Sequence, residues 1–154
     1  MKYVLFTCVV LVVFVTRLDA QEPEFSALPA VNCLEKAIGQ SERHACIGVA
    51  SSACLSPPEI GGSMAETHCY SREGDYWDQR LNATYQTQQQ FYRSDDPALA
   101  DALRDLQRAW IVYRDARCQA VFEGWGEGTG RTPAFAQCLM QTTAEQAIFL
   151  EGGL

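Results

Sequence analysis

Seven cysteines in 154 residues constrain this fold more than any other feature of the sequence. Cys8 lies in an apolar run near the start, and the other six are spread along the rest of the chain. An even set behind an export signal is typical of disulfides, because oxidising compartments favour bridges while the cytosol keeps thiols reduced. The six are Cys33, Cys46, Cys54, Cys69, Cys118 and Cys138. We therefore expect three disulfides.

The N-terminal residues have the pattern of a signal peptide. Lys2 provides a positive start, and Ala20 offers a small residue for cleavage. The apolar run between them is shorter than the roughly 20 residues that a membrane helix needs. We therefore place a signal peptide at 1–20, a flexible leader at 21–32 and a folded domain at 33–154. The expected location is periplasmic or secreted, with no stable membrane insertion after cleavage.

Net charge limits the class of partner. Cleavage removes two of the 12 basic and one of the 19 acidic residues, which leaves a net charge of −8. An acidic surface repels nucleic acid and speeds encounter with basic partners. Solubility alone is the other explanation. The charge therefore argues against a nucleic-acid partner and is compatible with a basic protein partner.

Six cysteines can pair in 15 ways, and proximity along the chain ranks these pairings. Cys46 and Cys54 can close a short loop, and Cys118 and Cys138 flank a glycine-rich turn. The remaining pair would be Cys33 and Cys69, so the favoured set is Cys33–Cys69, Cys46–Cys54 and Cys118–Cys138. His44 and His68 lie near cysteines, which leaves a metal site as an alternative. The chain has no CxxC pair, however, so we expect neither metal nor cofactor.

All the strong periodicities are helical. One or two short helices are expected in 33–54, and a proline- and glycine-containing loop in 55–62. Ser63 and Glu66 match a capping box that would begin a long helix. Pro97 and Pro133 suit the first turns of two further helices. The sequence therefore predicts an all-α fold, a small bundle of about four helices stapled by three disulfides.

The clearest apolar stripe belongs to the helix that follows Pro97. Its members recur mostly at steps of three or four, as one face of a helix requires. They are Leu99, Leu103, Leu106, Trp110, Tyr113 and Val121. We expect this face to pack into the bundle core.

Sequence motifs give no support for an enzyme. HExxH, GxSxG and GxxxxGK are all absent. Asp75 and Asp78 lie about one helical turn apart and offer an acid–base pair. Solvated helix faces carry such pairs very often, so we expect no catalytic residues.

A polar cluster accompanies the apolar stripe. Arg114 shares the face of Trp110, and a guanidinium near a core requires a partner. We expect Asp78 and Asn82 on the preceding helix to supply it, to Arg114 or to Arg108, with Asp115 as an alternative charge partner of Arg114. The predicted structural network comprises Asp78, Asn82, Gln107, Arg108, Arg114 and Asp115. A recognition surface is the alternative function for this cluster.

The segment 123–131 is the best candidate for contact with a partner. Four glycines give its backbone freedom, and Trp125 is large for such a loop. An aromatic side chain with charged neighbours is a common composition for a binding hot spot, so Trp125, Glu123 and Glu127 form the predicted contact. The alternative is a plain turn with Trp125 folded back onto the bundle.

Several of these motifs resemble a known family. They are Trp77-Asp78…Leu81-Asn82…Tyr85, Gln107-Arg108-Ala-Trp110…Tyr113-Arg114-Asp115…Cys118, the glycine-rich loop and Cys138-Leu139…Thr143. Over roughly 33–151 the chain resembles the lysozyme inhibitor LprI-like N-terminal domain of bacterial envelope proteins. Gln146 stands where the family tail often carries an arginine. The resemblance implies a periplasmic or secreted protein that binds and inhibits lysozyme.

Three functional hypotheses follow. The first is an inhibitor that binds and occludes the lysozyme cleft, where two carboxylates of different protonation state do the chemistry. The second is an envelope binding or structural module with a different partner and no inhibitory activity. The third is a hydrolase of unknown type. An inhibition assay separates the first from the others.

Overall fold

The structure is a computed structural model, and it describes residues 22–153. The predicted signal peptide at 1–20 lies outside these residues. Within them the chain forms six helices: α1 (Leu28–Lys36), α2 (Gln40–His44), α3 (Val49–Cys54), α4 (Gly62–Asp95), α5 (Pro97–Gly124) and α6 (Arg131–Glu151). The all-α prediction is confirmed, whereas the expected number of about four helices is too low.

The long helices α4, α5 and α6 form a three-helix bundle, and α1 to α3 pack beside it. Helix α6 lies at the centre of the contacts, against both α4 and α5. Small side chains let the helices approach closely, and a Cβ added at Gly74 on α4 would lie 3.6 Å from the Cβ of Met140 on α6. The buried core contains Leu34, Trp77, Leu81, Leu103, Met140, Ile148 and Leu150.

Helix starts follow the sequence signals only in part. Asp96 caps α5, because its Oδ1 accepts hydrogen bonds from the backbone N–H groups of Ala98 and Leu99 at 3.1 and 3.2 Å. The capping box at Ser63 and Glu66 is wrong. Helix α4 begins one residue earlier, at Gly62, so that Ser63 lies inside the first turn and no side chain caps the helix.

The N-terminal boundary was also predicted wrongly. Helix α1 begins at Leu28 and has Pro29 in its first turn, so the second part of the expected flexible leader is helical. Proline suggested an irregular segment, but at this position it is compatible with a helix start. Ala30, within this segment, is fully buried. The folded domain therefore includes α1 from Leu28 onward.

Three disulfides are present, as expected, but two of the predicted pairings are wrong. The bridges are Cys33–Cys46, Cys54–Cys69 and Cys118–Cys138, with Cα–Cα distances of 5.6, 5.9 and 5.5 Å. The short loop expected between Cys46 and Cys54 contains helix α3, which rises about 7.5 Å from Val49 to Cys54, and each of the two cysteines bridges to a residue outside this loop. A disulfide requires Cα atoms closer than about 7 Å.

The apolar stripe of α5 is confirmed in its first half and wrong at one position. Leu103 is fully buried, and Leu99, Leu106 and Trp110 are partly buried. Tyr113 is 56% exposed, because it lies at the edge of the face that contacts the bundle. Among residues 22–153, no helix has both the length and the apolar character that crossing a bilayer requires.

Candidate functional site

The connection between α5 and α6 folds into a compact turn, which we call the glycine loop (124–130). The backbone N–H of Gly128 donates to the carbonyl of Trp125, and that of Arg131 donates to the carbonyl of Gly128, each at 3.2 Å. Gly126 has φ of +56°, a conformation that glycine adopts without steric cost. The sequence composition suggested a freely variable segment, but its hydrogen bonds give it a defined conformation.

Trp125 projects from this loop and remains 54% exposed. One part of its indole ring lies directly over Gly130, where any Cβ would overlap the ring. The ring therefore packs on the backbone of its own loop instead of entering the bundle core. This arrangement holds the side chain in place while leaving about half of its surface open to a partner.

Arg131 connects the base of the glycine loop to α5. Its Nη1 donates to the carbonyl of Gly126 at 3.3 Å, and its guanidinium lies 4.4 Å from the ring centroid of Phe122. The same Nη1 lies 3.8 Å from Glu127. Near this end of the bundle, the Cys118–Cys138 bridge joins the two helices that flank the loop. The Arg131 contacts and the disulfide between the flanking helices therefore both restrain the glycine loop.

The three predicted contact residues lie in this one segment. Glu127 is fully exposed and forms only a long ion pair of 3.8 Å with Arg131 among residues 22–153. Glu123 is exposed on the last turn of α5, where Gln119 Nε2 donates to its Oε1 at 2.6 Å. Trp125 lies between the two carboxylates in the chain. The segment can offer a basic partner one aromatic surface and two negative charges.

The contacts predicted between α4 and α5 for the polar network are wrong, whereas the alternative pair of Arg114 with Asp115 is present. Arg114 donates through Nε and Nη2 to Asp115 at 2.9 and 2.8 Å, and its guanidinium lies 5.1 Å from the ring centroid of Trp110. Asn82 donates to Asp78 at 2.8 Å on α4 itself. Arg114 and Asn82 thus find partners on their own helices, and an open groove lies between α4 and α5.

Arg108 and Gln107 complete the set of predicted network residues. Arg108 is 72% exposed in its side chain, and its nearest carboxylate, Asp105, is 3.8 Å away. Gln107 is buried and accepts a hydrogen bond from Gln146 on α6 at 3.0 Å. A neutral amide pair thus occupies the position where the resemblance suggested an arginine contact.

The α4–α5 groove is the open space of about 480 Å³ between these two helices. Leu81, Gln107 and Trp110 lie at its more buried side, and Ile111 and polar side chains of both helices line the rest. A second cavity of about 260 Å³ shares Asp78 and Arg114 with it and reaches α6 at Met140. Asp78, Asn82, Gln107, Arg108 and Arg114, five of the six predicted network residues, therefore line one groove.

A buried carboxylate that the sequence reading missed joins α3 to α4. Glu73 is fully buried and accepts hydrogen bonds from the backbone N–H groups of Gly48 and Ser51 and from Nε1 of Trp77, at 2.8, 2.6 and 3.1 Å. It thereby satisfies free N–H groups at the start of α3. Its position four residues before Trp77 indicates the contact with the indole, but nothing in the sequence indicates the two backbone donors.

Glu151 ends α6 between two arginines. It pairs with Arg43 of α2 and, through Oε1, with Nε and Nη2 of Arg80 of α4 at 2.9 and 2.6 Å. Burial disfavours the charge on Arg80, but the nearby Glu151 carboxylate outweighs this, so that the pKa of Arg80 is raised. This network fixes the end of α6 to α2 and α4.

Metal ligation has no support from the geometry. Cys46 and Cys69 are both bridged and have no thiolate to offer. In the part of the chain that the structure describes, no group of three or more His, Cys, Asp or Glu side chains is arranged to hold a metal ion.

Comparison with known proteins identifies the family. The model of the family described as lysozyme inhibitor LprI matches residues 54–150. A similar protein of Rhodobacter capsulatus, described as an uncharacterized 17.7 kDa protein in the puhA 5' region, is 27% identical over 133 residues, covering 78% of this chain and 81% of that protein. No solved structure matches. This chain belongs to the lysozyme inhibitor LprI family.

Proposed function

We propose that this chain is an exported lysozyme inhibitor that binds lysozyme and occludes its cleft. The observation that carries the proposal is the family match, which covers α4, α5, α6 and the loop between the last two. The three disulfides are compatible with an oxidising compartment. The acidic character of the chain favours encounter with lysozymes that are basic.

The glycine loop is the proposed contact surface. Trp125 offers exposed apolar area, and Glu123 and Glu127 offer charge to a basic surface. Because Arg131 and the Cys118–Cys138 bridge already hold the loop, little conformational entropy is lost when a partner binds. Occlusion of the cleft needs no chemistry from this chain, and no catalytic residue is assigned to it.

The test is inhibition of a basic lysozyme by wild-type protein and by Trp125→Ala. We expect the inhibition constant to rise at least tenfold, about 1.4 kcal/mol, with helical content unchanged. Phe91→Ala is the matched control, because Phe91 is an aromatic residue of similar exposure (60%) on α4, outside the glycine loop. It should inhibit like wild type.

The outcomes separate the parts of the proposal. Wild-type protein that fails to inhibit lysozymes of several classes would refute the inhibitor function and leave a binding module with a different partner. Wild-type inhibition that survives Trp125→Ala would keep the function and refute the glycine loop as its contact. The double change of Glu123 and Glu127 to Gln should mainly slow association at low salt.

A further inference from the structure

The lining of the α4–α5 groove has a charge that differs from the rest of the protein. Three arginines (Arg104, Arg108 and Arg114) and a single acidic residue (Asp78) line it, although the chain as a whole is acidic. Arg104 and Arg114 already pair with aspartates on their own helix, at 2.7 and 2.8 Å. Among residues 22–153, Arg108 has only Asp105 as an acidic partner, at 3.8 Å, and its side chain remains mostly exposed. The groove therefore presents one weakly paired guanidinium to an anionic group.

The buried side of the groove offers a polar donor. Gln107 is only 7% exposed, and its Oε1 is occupied by Gln146. Its Nε2 donates to no group among residues 22–153, and the atom is not fully enclosed, so it remains open to the groove. A donor without a protein partner at the base of a groove is a position where a ligand oxygen is stabilised.

The opposite wall supplies acceptors. Asn82 Nδ2 donates to Asp78 Oδ2, and Asn82 Oδ1 and the other Asp78 oxygen have no side-chain donor in the described part of the chain. Leu81, Trp110 and Ile111 add apolar surface between the polar groups. A ligand that fits must have donors and acceptors close together, apolar C–H surface and a negative charge.

We propose that the α4–α5 groove binds a carboxylate-bearing oligosaccharide. Its carboxylate pairs with Arg108, since a guanidinium binds a carboxylate in a planar, two-pronged geometry. Its hydroxyls accept from Gln107 Nε2 and donate to Asp78 and Asn82, because a hydroxyl is both donor and acceptor. A polyglutamate peptide fits less well, since it has no hydroxyl that could accept from Gln107 Nε2 and donate to Asp78 or Asn82.

The test is titration calorimetry of the purified, oxidised protein without lysozyme. The probe is a soluble tetrasaccharide of alternating N-acetylglucosamine and N-acetylmuramic acid. The neutral tetramer of N-acetylglucosamine and a short polyglutamate peptide are the comparison ligands. We expect the acidic sugar to bind, the neutral sugar to bind at least fivefold more weakly, and the peptide to bind more weakly than either.

Two arginine variants of α5 locate the site. Arg108→Gln should weaken binding of the acidic sugar at least fivefold. Arg117→Gln is the matched control, because Arg117 lies on the same helix but pairs with Glu145 of α6, away from the groove. It should bind like wild type. The indole N–H resonance of Trp110, assigned with Trp110→Phe, should shift on addition of the acidic sugar.

Several results would overturn the proposal. They are no binding of the acidic sugar at millimolar concentration, equal binding of the peptide, and equal losses in Arg108→Gln and Arg117→Gln. Because lysozyme is absent, none of these results depends on the inhibitor function. A protein that inhibits lysozyme but binds no sugar refutes the groove proposal alone.

Discussion

Replacing Glu73 by alanine should destabilise the protein more than any other single carboxylate change on α4. The side chain accepts three hydrogen bonds in a fully buried position, two of them from the first turn of α3. Hydrogen bonds to charged groups contribute about 1.5–3 kcal/mol each, and a buried donor left without a partner costs about 1–3 kcal/mol. Partial relaxation and water entry at Gly48 make the total smaller than the sum of these contributions. We therefore expect the free energy of unfolding to fall by about 3–5 kcal/mol.

The assay is urea unfolding of the oxidised protein followed by circular dichroism. Glu73→Gln separates charge from shape, because the amide keeps one acceptor oxygen but turns an NH₂ group toward the N–H donors. We expect Glu73→Gln to lower the free energy of unfolding by about half as much as Glu73→Ala does. Asp75→Ala is the control, because Asp75 pairs with Arg72 at the exposed surface. This change should lower the free energy of unfolding by less than about 0.5 kcal/mol. A loss below about 1 kcal/mol for Glu73→Ala would refute the reasoning.

Three further changes test other parts of the structure. Burial and the nearby Glu66 carboxylate raise the pKa of Tyr70. The unfolded state therefore loses the phenol proton first, and the free energy of unfolding should fall as pH rises above about 10. In unfolding measured as a function of pH, Tyr70→Phe should reduce this alkaline loss of stability. Replacing Cys118 and Cys138 by serine removes a bridge with a sequence separation of 20, and the free energy of unfolding should fall by about 3 kcal/mol; an unchanged melting temperature would contradict this. Gln146→Arg should lower the free energy of unfolding by about 3–5 kcal/mol, because it buries an unpaired charge. Adding Gln107→Glu should restore part of this stability in a double-mutant cycle. An unchanged urea midpoint in the single variant would show that the side chain at position 146 can reach solvent.

Local signals predicted the long helices better than the contacts between them. The start of α5 depends on residues within a few positions of one another: Pro97 lies in its first turn, as expected, and Asp96 caps it. The pairing of Arg114 depended instead on how far apart α4 and α5 lie, which no local pattern records. Asp115, the adjacent residue, was within reach whatever the packing, and it forms the ion pair.

In the candidate site, too, local sequence predicted where residues lie in the chain but not which groups they contact. Sequence composition was sufficient to place Trp125 in a glycine-rich loop, but not to predict that its ring would pack over Gly130. Glu73 was missed because a charged residue in an apolar stripe looks like an interruption when its partners are backbone N–H groups more than 20 residues away. Such partners have no side-chain signature in the sequence.

The disulfide pattern has a consequence for the order of oxidation. Each bridge joins one cysteine to the next cysteine along the domain, with separations of 13, 15 and 20 residues. If thiols are oxidised as they emerge from a translocation channel, every newly arriving second cysteine meets its native partner first, and no disulfide isomerase is needed. Cys8 precedes all of them in the sequence. Were Cys8 to take part, the same sequential rule would form Cys8–Cys33 first and shift every later pair out of its native register.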